Sequence, residues 1–269
     1  MCRHIAFLGP PEPLGEVLVR PRHSLVRQSW EPRRQRHGTV NADGFGVGWY
    51  ADGDPVPARY RRNGPIWADL SFPDLARVVR SGAALAAVRD ATEAGADGEA
   101  AAAPFAAGPW LFSHNGALTG WPASAAPLAA TLPAAELLGM AARCDSALVW
   151  ALVLHRLREG DPLGQALSDT VTELAAAAPG SRLNLLLTDG AAVAATAWGD
   201  TLWYLTEPDT AGEASAGVAA GASAGAAGRT VVASEPYDDA PGWREVPDRT
   251  LLVATRTDVQ LTPLKEPTA

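Results

Sequence analysis

The chain has 269 residues, a formal net charge of −8 and 47% hydrophobic side chains. That apolar share can bury a sizeable core, while the negative balance argues against a nucleic-acid partner, whose phosphates draw on clustered Lys and Arg. No run of about 18 apolar residues is present to span a membrane, and the two cysteines, Cys2 and Cys144, are too few for a disulfide framework or a structural zinc site.

In chain order, apolar runs bounded by Gly, Pro or Asp predict strands over 5–8, 24–29, 45–51, 84–89 and 110–114, and again over 183–188, 192–198, 202–205, 230–234 and 251–255. Between the two groups, apolar spacing of three and four predicts helices over 134–142, 146–158 and 163–177. Asp145 and Gly160 supply the start and stop of the middle one. Strands first, helices next and strands last predict layered α+β packing, not a βαβ repeat. Segments 93–103 and 210–228 are rich in Ala and Gly. The second is expected to be a flexible insertion in a single domain over 2–269. The fold begins almost at the first residue, without a secretory apolar region, so a cytoplasmic protein is expected.

Cys2 follows the initiator methionine. Removal of Met1 would leave it with a free α-amine, which titrates at roughly 7.7–8.0 and is partly neutral near neutral pH. The amine can take the thiol proton, so the nucleophile carries its own general base. Once protonated, it can hand a proton to a leaving group. A cysteine at this position is commonplace by itself, and its meaning depends on what stands downstream.

Residues 110–116, ending in Ser113-His114-Asn115-Gly116, read as a buried strand running into a tight turn. Asn-Gly is a strong hairpin signal. In acyl transfer the same pair offers a side-chain amide and a backbone N–H to a developing oxyanion. His114 reads as a structural residue beneath the turn. A γ-glutamyl substrate presents an α-carboxylate and an α-ammonium, so it needs one cation and one anion. Arg89 suits the carboxylate through its planar fork, unless it makes only a surface ion pair, and Thr92 can add a hydroxyl. Asp145 can take the ammonium, or act only as a helix cap. The glycine-rich stretch 41–49 lacks the Lys-Ser/Thr ending of a phosphate loop. Its Asp43 and Gly44 join the candidate substrate-binding residues, the glycines allowing close approach of a ligand or another backbone. The five histidines show no metal-ligand spacing.

Taken in order, Met1-Cys2-Arg3, 41–49, Arg89-Asp90-Ala91-Thr92, Ser113-His114-Asn115-Gly116 and Cys144-Asp145-Ser146 resemble the class II glutamine amidotransferase family. The resemblance implies a four-layer αββα N-terminal-nucleophile sandwich. It implies Cys2 as nucleophile, Asn115 and Gly116 as the oxyanion hole, and Arg89 and Asp145 as the clamp on the glutamyl end. Residues 35–50, with 233–239 and Pro241-Gly242-Trp243, are similar to the ergothioneine-pathway branch, which implies cleavage of a γ-glutamyl sulfoxide with release of glutamate. The implied partner is that small molecule, with no cofactor. Its leaving portion carries a trimethylammonium betaine, for which Trp30, Tyr50 and Trp67 are candidate rings, or else core residues. Arg33, Arg34 and Arg36 are candidates for its carboxylate, or else a solvated face. Many family members carry His-Pro upstream of the oxyanion motif and Trp after the clamp Arg. Here Ala103-Pro104 and Asp90 stand instead, which fits an amide bulkier than glutamine. A glutaminase subunit feeding a separate synthase, a γ-glutamyl dipeptide hydrolase and an inactive binding module on the same fold are the alternatives.

Overall fold

The computed structural model describes residues 2–91, 98–207 and 228–265. Two antiparallel sheets dominate. The chain supplies β1 (Arg3–Pro13), β2 (Phe45–Trp49), β3 (Ala58–Arg62), β4 (Arg80–Val88), β5 (Phe105–Ala107), β6 (Trp110–Ala117), β7 (Arg182–Thr188), β8 (Val193–Ala197), β9 (Trp203–Glu207), β10 (Arg229–Ala233), β11 (Arg244–Glu245), β12 (Thr250–Ala254) and β13 (Val259–Pro263). One sheet runs β11-β9-β10-β1-β4-β2-β3 and the other β13-β12-β8-β7-β6-β5. The helices are α1 (Leu14–Leu18), α2 (Leu25–Gln28), α3 (Phe72–Val78), α4 (Ala126–Ala129), α5 (Ala134–Leu138), α6 (Asp145–Glu159) and α7 (Leu163–Ala177).

Side-chain alternation along the strands builds the layers. In β1, Ile5 and Phe7 pack with Leu14, Leu18, Leu25 and Phe72 of the short helices. Ala6 and Leu8 point the other way, into an alanine-rich layer shared with Leu111, Leu186, Ala195 and Leu252 of the second sheet. That sheet's opposite face, with Phe112, Leu183, Leu185 and Leu187, packs on α6 and α7. The order is therefore helices, sheet, sheet, helices: the four-layer αββα sandwich. Each buried Leu, Val or Phe contributes about 1.5–3 kcal/mol relative to exposure.

The helix over 163–177 forms as the spacing predicts, and the middle helix starts one residue earlier, at Asp145. The segment 24–29 is a correction: it forms helix α2, not a strand, because the Ser24 hydroxyl accepts the Arg27 N–H and caps a helical turn. The first predicted helix is shorter, ending at Leu138. Strands β3, β5, β11 and β13 were not predicted. They lie at or near sheet edges, where one-sided pairing needs little apolar patterning. Among the described residues no helix is long and apolar enough to cross a membrane. The insertion at 210–227 lies outside the described residues.

Candidate active site

Cys2 precedes β1, and its parity with His4, Ala6 and Leu8 points it into the layer between the sheets. His4 confirms that direction, with its Nδ1 3.2 Å from Ser113 Oγ on the facing strand β6. Cys2 opens into a cavity of about 210 Å³ whose wall also includes Arg89, Asp90, Gly116, Leu118, Trp121, Arg143 and Asp145. Burial pushes the Cys2 thiol above its ordinary range. A backbone N–H from Asp90 and the Arg89 guanidinium oppose that shift, and the Asp145 carboxylate adds to it.

β6 does not turn at Asn115-Gly116. It continues to Ala117, with Asn115 opposite Asn184 and Gly116 opposite Leu183 on β7. The hairpin expected from the dipeptide is absent because β7 pairs through it. Crowding explains the glycine: a Cβ on Gly116 would lie 1.9 Å from the Arg182 carbonyl oxygen. Alternation then separates neighbours. His114 faces the helices, where its Nε2 donates to Arg182 O at 3.0 Å and its Nδ1 accepts from Ser146 Oγ at 3.0 Å. Asn115 shares the inner face with Leu111 and Ser113. It is fully buried, and neither its Nδ2 nor its Oδ1 has a hydrogen-bond partner among the described residues. A buried amide left unpaired costs about 1–3 kcal/mol, so its presence here calls for a function.

Arg89 follows the last residue of β4, and its segment is strapped to the start of β2. Asp43 N–H donates to Arg89 O (2.9 Å), Arg89 N–H to Gly44 O (2.8 Å), and Ala91 N–H to Asp43 Oδ2 (2.8 Å). Asp43 and Gly44, expected at the substrate, lie outside the cavity wall and hold the Arg89-bearing segment in place. Thr92 lies outside the described residues. Asp145 is the first residue of α6, after Cys144 at the cap position. Its carboxylate accepts the N–H groups of Leu118 (3.1 Å) and Ser146 (2.7 Å), which fixes an anion on the cavity wall.

Behind Cys2 is a buried ionic group. Arg3 is fully buried, with Nη1 3.9 Å from the equally buried Glu235 Oε2. Glu235 also accepts the N–H groups of Arg33 (3.0 Å) and Arg34 (2.7 Å). Glu235→Ala would strand the Arg3 charge and release both amides. It is expected to cost about 3–5 kcal/mol, read from urea unfolding, and an Arg3→Met/Glu235→Leu double variant is expected to lose less. Burial, reinforced by Arg3 and then His114, drives the His4 imidazole from 6.5 down to about 3. Its folded pKa is depressed, so its contribution is complete above pH 6.5 and is lost as the pH falls toward about 3. The urea midpoint is therefore expected to decline steeply below pH 6.5, and less steeply in His4→Gln.

The family model described as "Glutamine amidotransferases class-II" matches residues 21–268. The chain belongs to that family. Among class II amidotransferase relatives, it is 41% identical over 264 residues to the gamma-glutamyl-hercynylcysteine sulfoxide hydrolase of Mycolicibacterium smegmatis, covering 98% of this chain and 100% of that protein. A solved glutamine aminotransferase class-II domain protein from Silicibacter pomeroyi superposes with a TM-score of 0.63 at 23% identity, covering 98% of this chain and 100% of that one. Glutamine phosphoribosylpyrophosphate amidotransferase from B. subtilis gives a TM-score of 0.61 at 17% identity, covering 98% of this chain and 49% of its own. These two structures share the fold.

Within this amidotransferase frame, the expected aromatic candidates stand elsewhere. Tyr50 is buried, its OH 2.6 Å from Pro109 O and 3.0 Å from Thr188 O. Trp30 and Trp67 form an edge-to-face pair with centroids 5.7 Å apart and do not line the cavity. Trp121 and Arg143 do line it and were not foreseen. Their only sequence signal is proximity, Trp121 to the Asn-Gly pair and Arg143 to Asp145. Among the described residues no cluster of three or more His, Cys, Asp or Glu is placed to hold a metal.

Proposed function

We propose that this chain hydrolyses the γ-glutamyl amide bond of γ-glutamyl-hercynylcysteine sulfoxide, giving glutamate and hercynylcysteine sulfoxide. The observation that carries the chemistry is the convergence of the Cys2 thiol, the Arg89 cation and the Asp145 anion on one cavity, with the unpaired Asn115 amide on the facing sheet. The name of the 41%-identical relative supports the choice of substrate.

In this reading Arg89 takes the α-carboxylate and Asp145 the α-ammonium, which orients the γ-carbonyl over the thiol. The α-amine of Cys2, freed by loss of Met1, takes the thiol proton, and the thiolate attacks the γ-carbonyl carbon. Asn115 Nδ2 and the Gly116 N–H receive the oxyanion. Collapse expels the amine, protonated from the Cys2 ammonium, and leaves a glutamyl thioester. Water activated by the same amine hydrolyses that thioester, releasing glutamate and the thiol. Asp43 and Gly44 act on the substrate through Arg89.

The test compares glutamate release from γ-glutamyl-hercynylcysteine sulfoxide and from free glutamine, using protein shown by intact mass to lack Met1. A preference for the sulfoxide supports the reading. Preference for glutamine would favour a glutaminase feeding a separate synthase, and absence of release from both would favour an inactive module.

A further inference from the structure

The wall of the Cys2 cavity carries one aromatic ring among the described residues, that of Trp121. The ring stands on a turn that follows β6 and is fastened along its length. The Leu118 N–H donates to Asp145 Oδ2 at 3.1 Å, the Thr119 N–H to Ser181 Oγ at 2.9 Å and the Trp121 N–H to Leu118 O at 3.4 Å. Gly120 takes φ +71, a left-handed conformation that reverses the chain, and its carbonyl accepts the Ser124 N–H at 3.1 Å. Burial falls along this stretch, from the fully buried Asn115 to the exposed Thr119 and Gly120. Gly120 itself lines the cavity, so Trp121 stands at the mouth. The ring is half-buried: it packs against the core beneath α6 and α7 and also faces the cavity. The carboxylate that anchors the turn is the one assigned to the substrate ammonium, which sets the ring at a defined position relative to the glutamyl clamp.

The leaving portion of γ-glutamyl-hercynylcysteine sulfoxide ends in a trimethylammonium betaine. A quaternary ammonium has no N–H to donate. It is held by anions and by the faces of aromatic rings, of which indole is the best. The carboxylates on the wall are otherwise engaged. Asp145 accepts the N–H groups of Leu118 and Ser146 and, in the reading above, takes the glutamyl ammonium. Asp90 Oδ2 is pressed against Gly38, where a Cβ would lie 2.2 Å from it. The rings of Trp30, Tyr50 and Trp67 and the side chains of Arg33, Arg34 and Arg36, expected at the betaine, are not on the wall. Arg33 pairs with Asp239 at 3.7 Å, and Arg34 stacks over Trp203, 5.6 Å from the ring centroid.

We infer that Trp121 receives the trimethylammonium group of the leaving portion and so sets the preference of the cavity for a cationic amide. The inference rests on the amidohydrolase reading above and extends it to the half of the substrate that Arg89 and Asp145 do not hold. A substrate without the cation keeps the clamp and the nucleophile and loses only this contact. Trp121 is therefore a specificity-determining residue whose effect falls on KM. Its fastened backbone means that little freedom is lost when the ring is covered.

The experiment measures kcat and KM of wild type, Trp121→Leu and Trp121→Phe on three compounds. They are γ-glutamyl-hercynylcysteine sulfoxide, the same molecule with a tert-butyl group in place of the trimethylammonium, and γ-glutamyl-S-methylcysteine sulfoxide. The first two are read as kcat/KM relative to the third, which cancels any general loss of active protein. Trp121→Leu is expected to lower the hercynyl ratio about 3- to 30-fold through KM, with partial recovery in Trp121→Phe, and to lower the tert-butyl ratio clearly less. Equal falls for the cation and its neutral isostere, or no recovery in Trp121→Phe, would make the contact merely apolar and overturn the inference. A hercynyl ratio within about twofold of wild type overturns it as well. A wild type that cleaves only glutamine would overturn the functional reading instead.

Discussion

Cys2→Ala is expected to slow glutamate release by about 10⁴- to 10⁶-fold while leaving substrate binding intact, because the nucleophile and its base act as one unit. Arg89 and Asp145, the proposed clamp, stay in place, so calorimetric titration should still detect the γ-glutamyl compound. The raised thiol fits a mechanism in which a base takes its proton. Burial raises the Cys2 thiol against the pull of the N-terminal charge, the Asp90 N–H and the Arg89 guanidinium, which favours the protonated thiol until a base takes its proton. The nucleophile must be deprotonated as it attacks. Accordingly, kcat/KM should rise as the pH climbs through roughly 7.7–8.0, where a free α-amine loses its proton. Acid quench of the wild-type reaction should trap a glutamyl adduct on residue 2, seen by intact mass. Glutamate release by Cys2→Ala at the wild-type rate would remove the mechanism.

Asn115→Ala is expected to lower kcat by about 10²- to 10³-fold with little change in KM, the usual effect of losing one oxyanion donor. Stability is expected to move the other way or not at all. In the resting protein the Asn115 amide is buried without a hydrogen-bond partner among the described residues. Its removal relieves a desolvation cost of about 1–3 kcal/mol, which offsets the lost packing. Activity and thermal midpoint, measured on the same preparation, distinguish a donor from a structural amide. A large drop in both would mean that Asn115 holds the strand together.

Much of this was legible in the chain itself. Helix α7 shows its apolar spacing without interruption, and its bounds follow from that pattern. The strands flanking the interior were readable because both faces are buried, whereas β3, written Ala-Arg-Tyr-Arg-Arg, hides its pairing behind charges that suit an edge. The Asn115-Gly116 pair was read locally as a turn. Only the paired strand β7 shows that the glycine is there because no side chain fits beside the Arg182 carbonyl. Cys2, Arg89 and Asp145 were recognisable as a set only through family resemblance, since no local pattern draws residues 2, 89 and 145 together. Asp43 reads as a ligand because it sits in a glycine-rich stretch, whereas in the structure its Oδ2 accepts the Ala91 N–H and it is not on the cavity wall. Trp121 carries no special spacing and becomes visible only when the cavity closes around it.

His114 and Asn115 are adjacent, yet one serves the helices and the other the interior between the sheets. Deleting a single residue within 110–113 would exchange their destinations and swing an imidazole to where an amide must stand. The connector at Gly108 and Pro109 tolerates added length far better than the strand after it. Engineering or evolution can therefore reshape this margin of the molecule freely only while the count of residues from Trp110 to Gly116 is preserved.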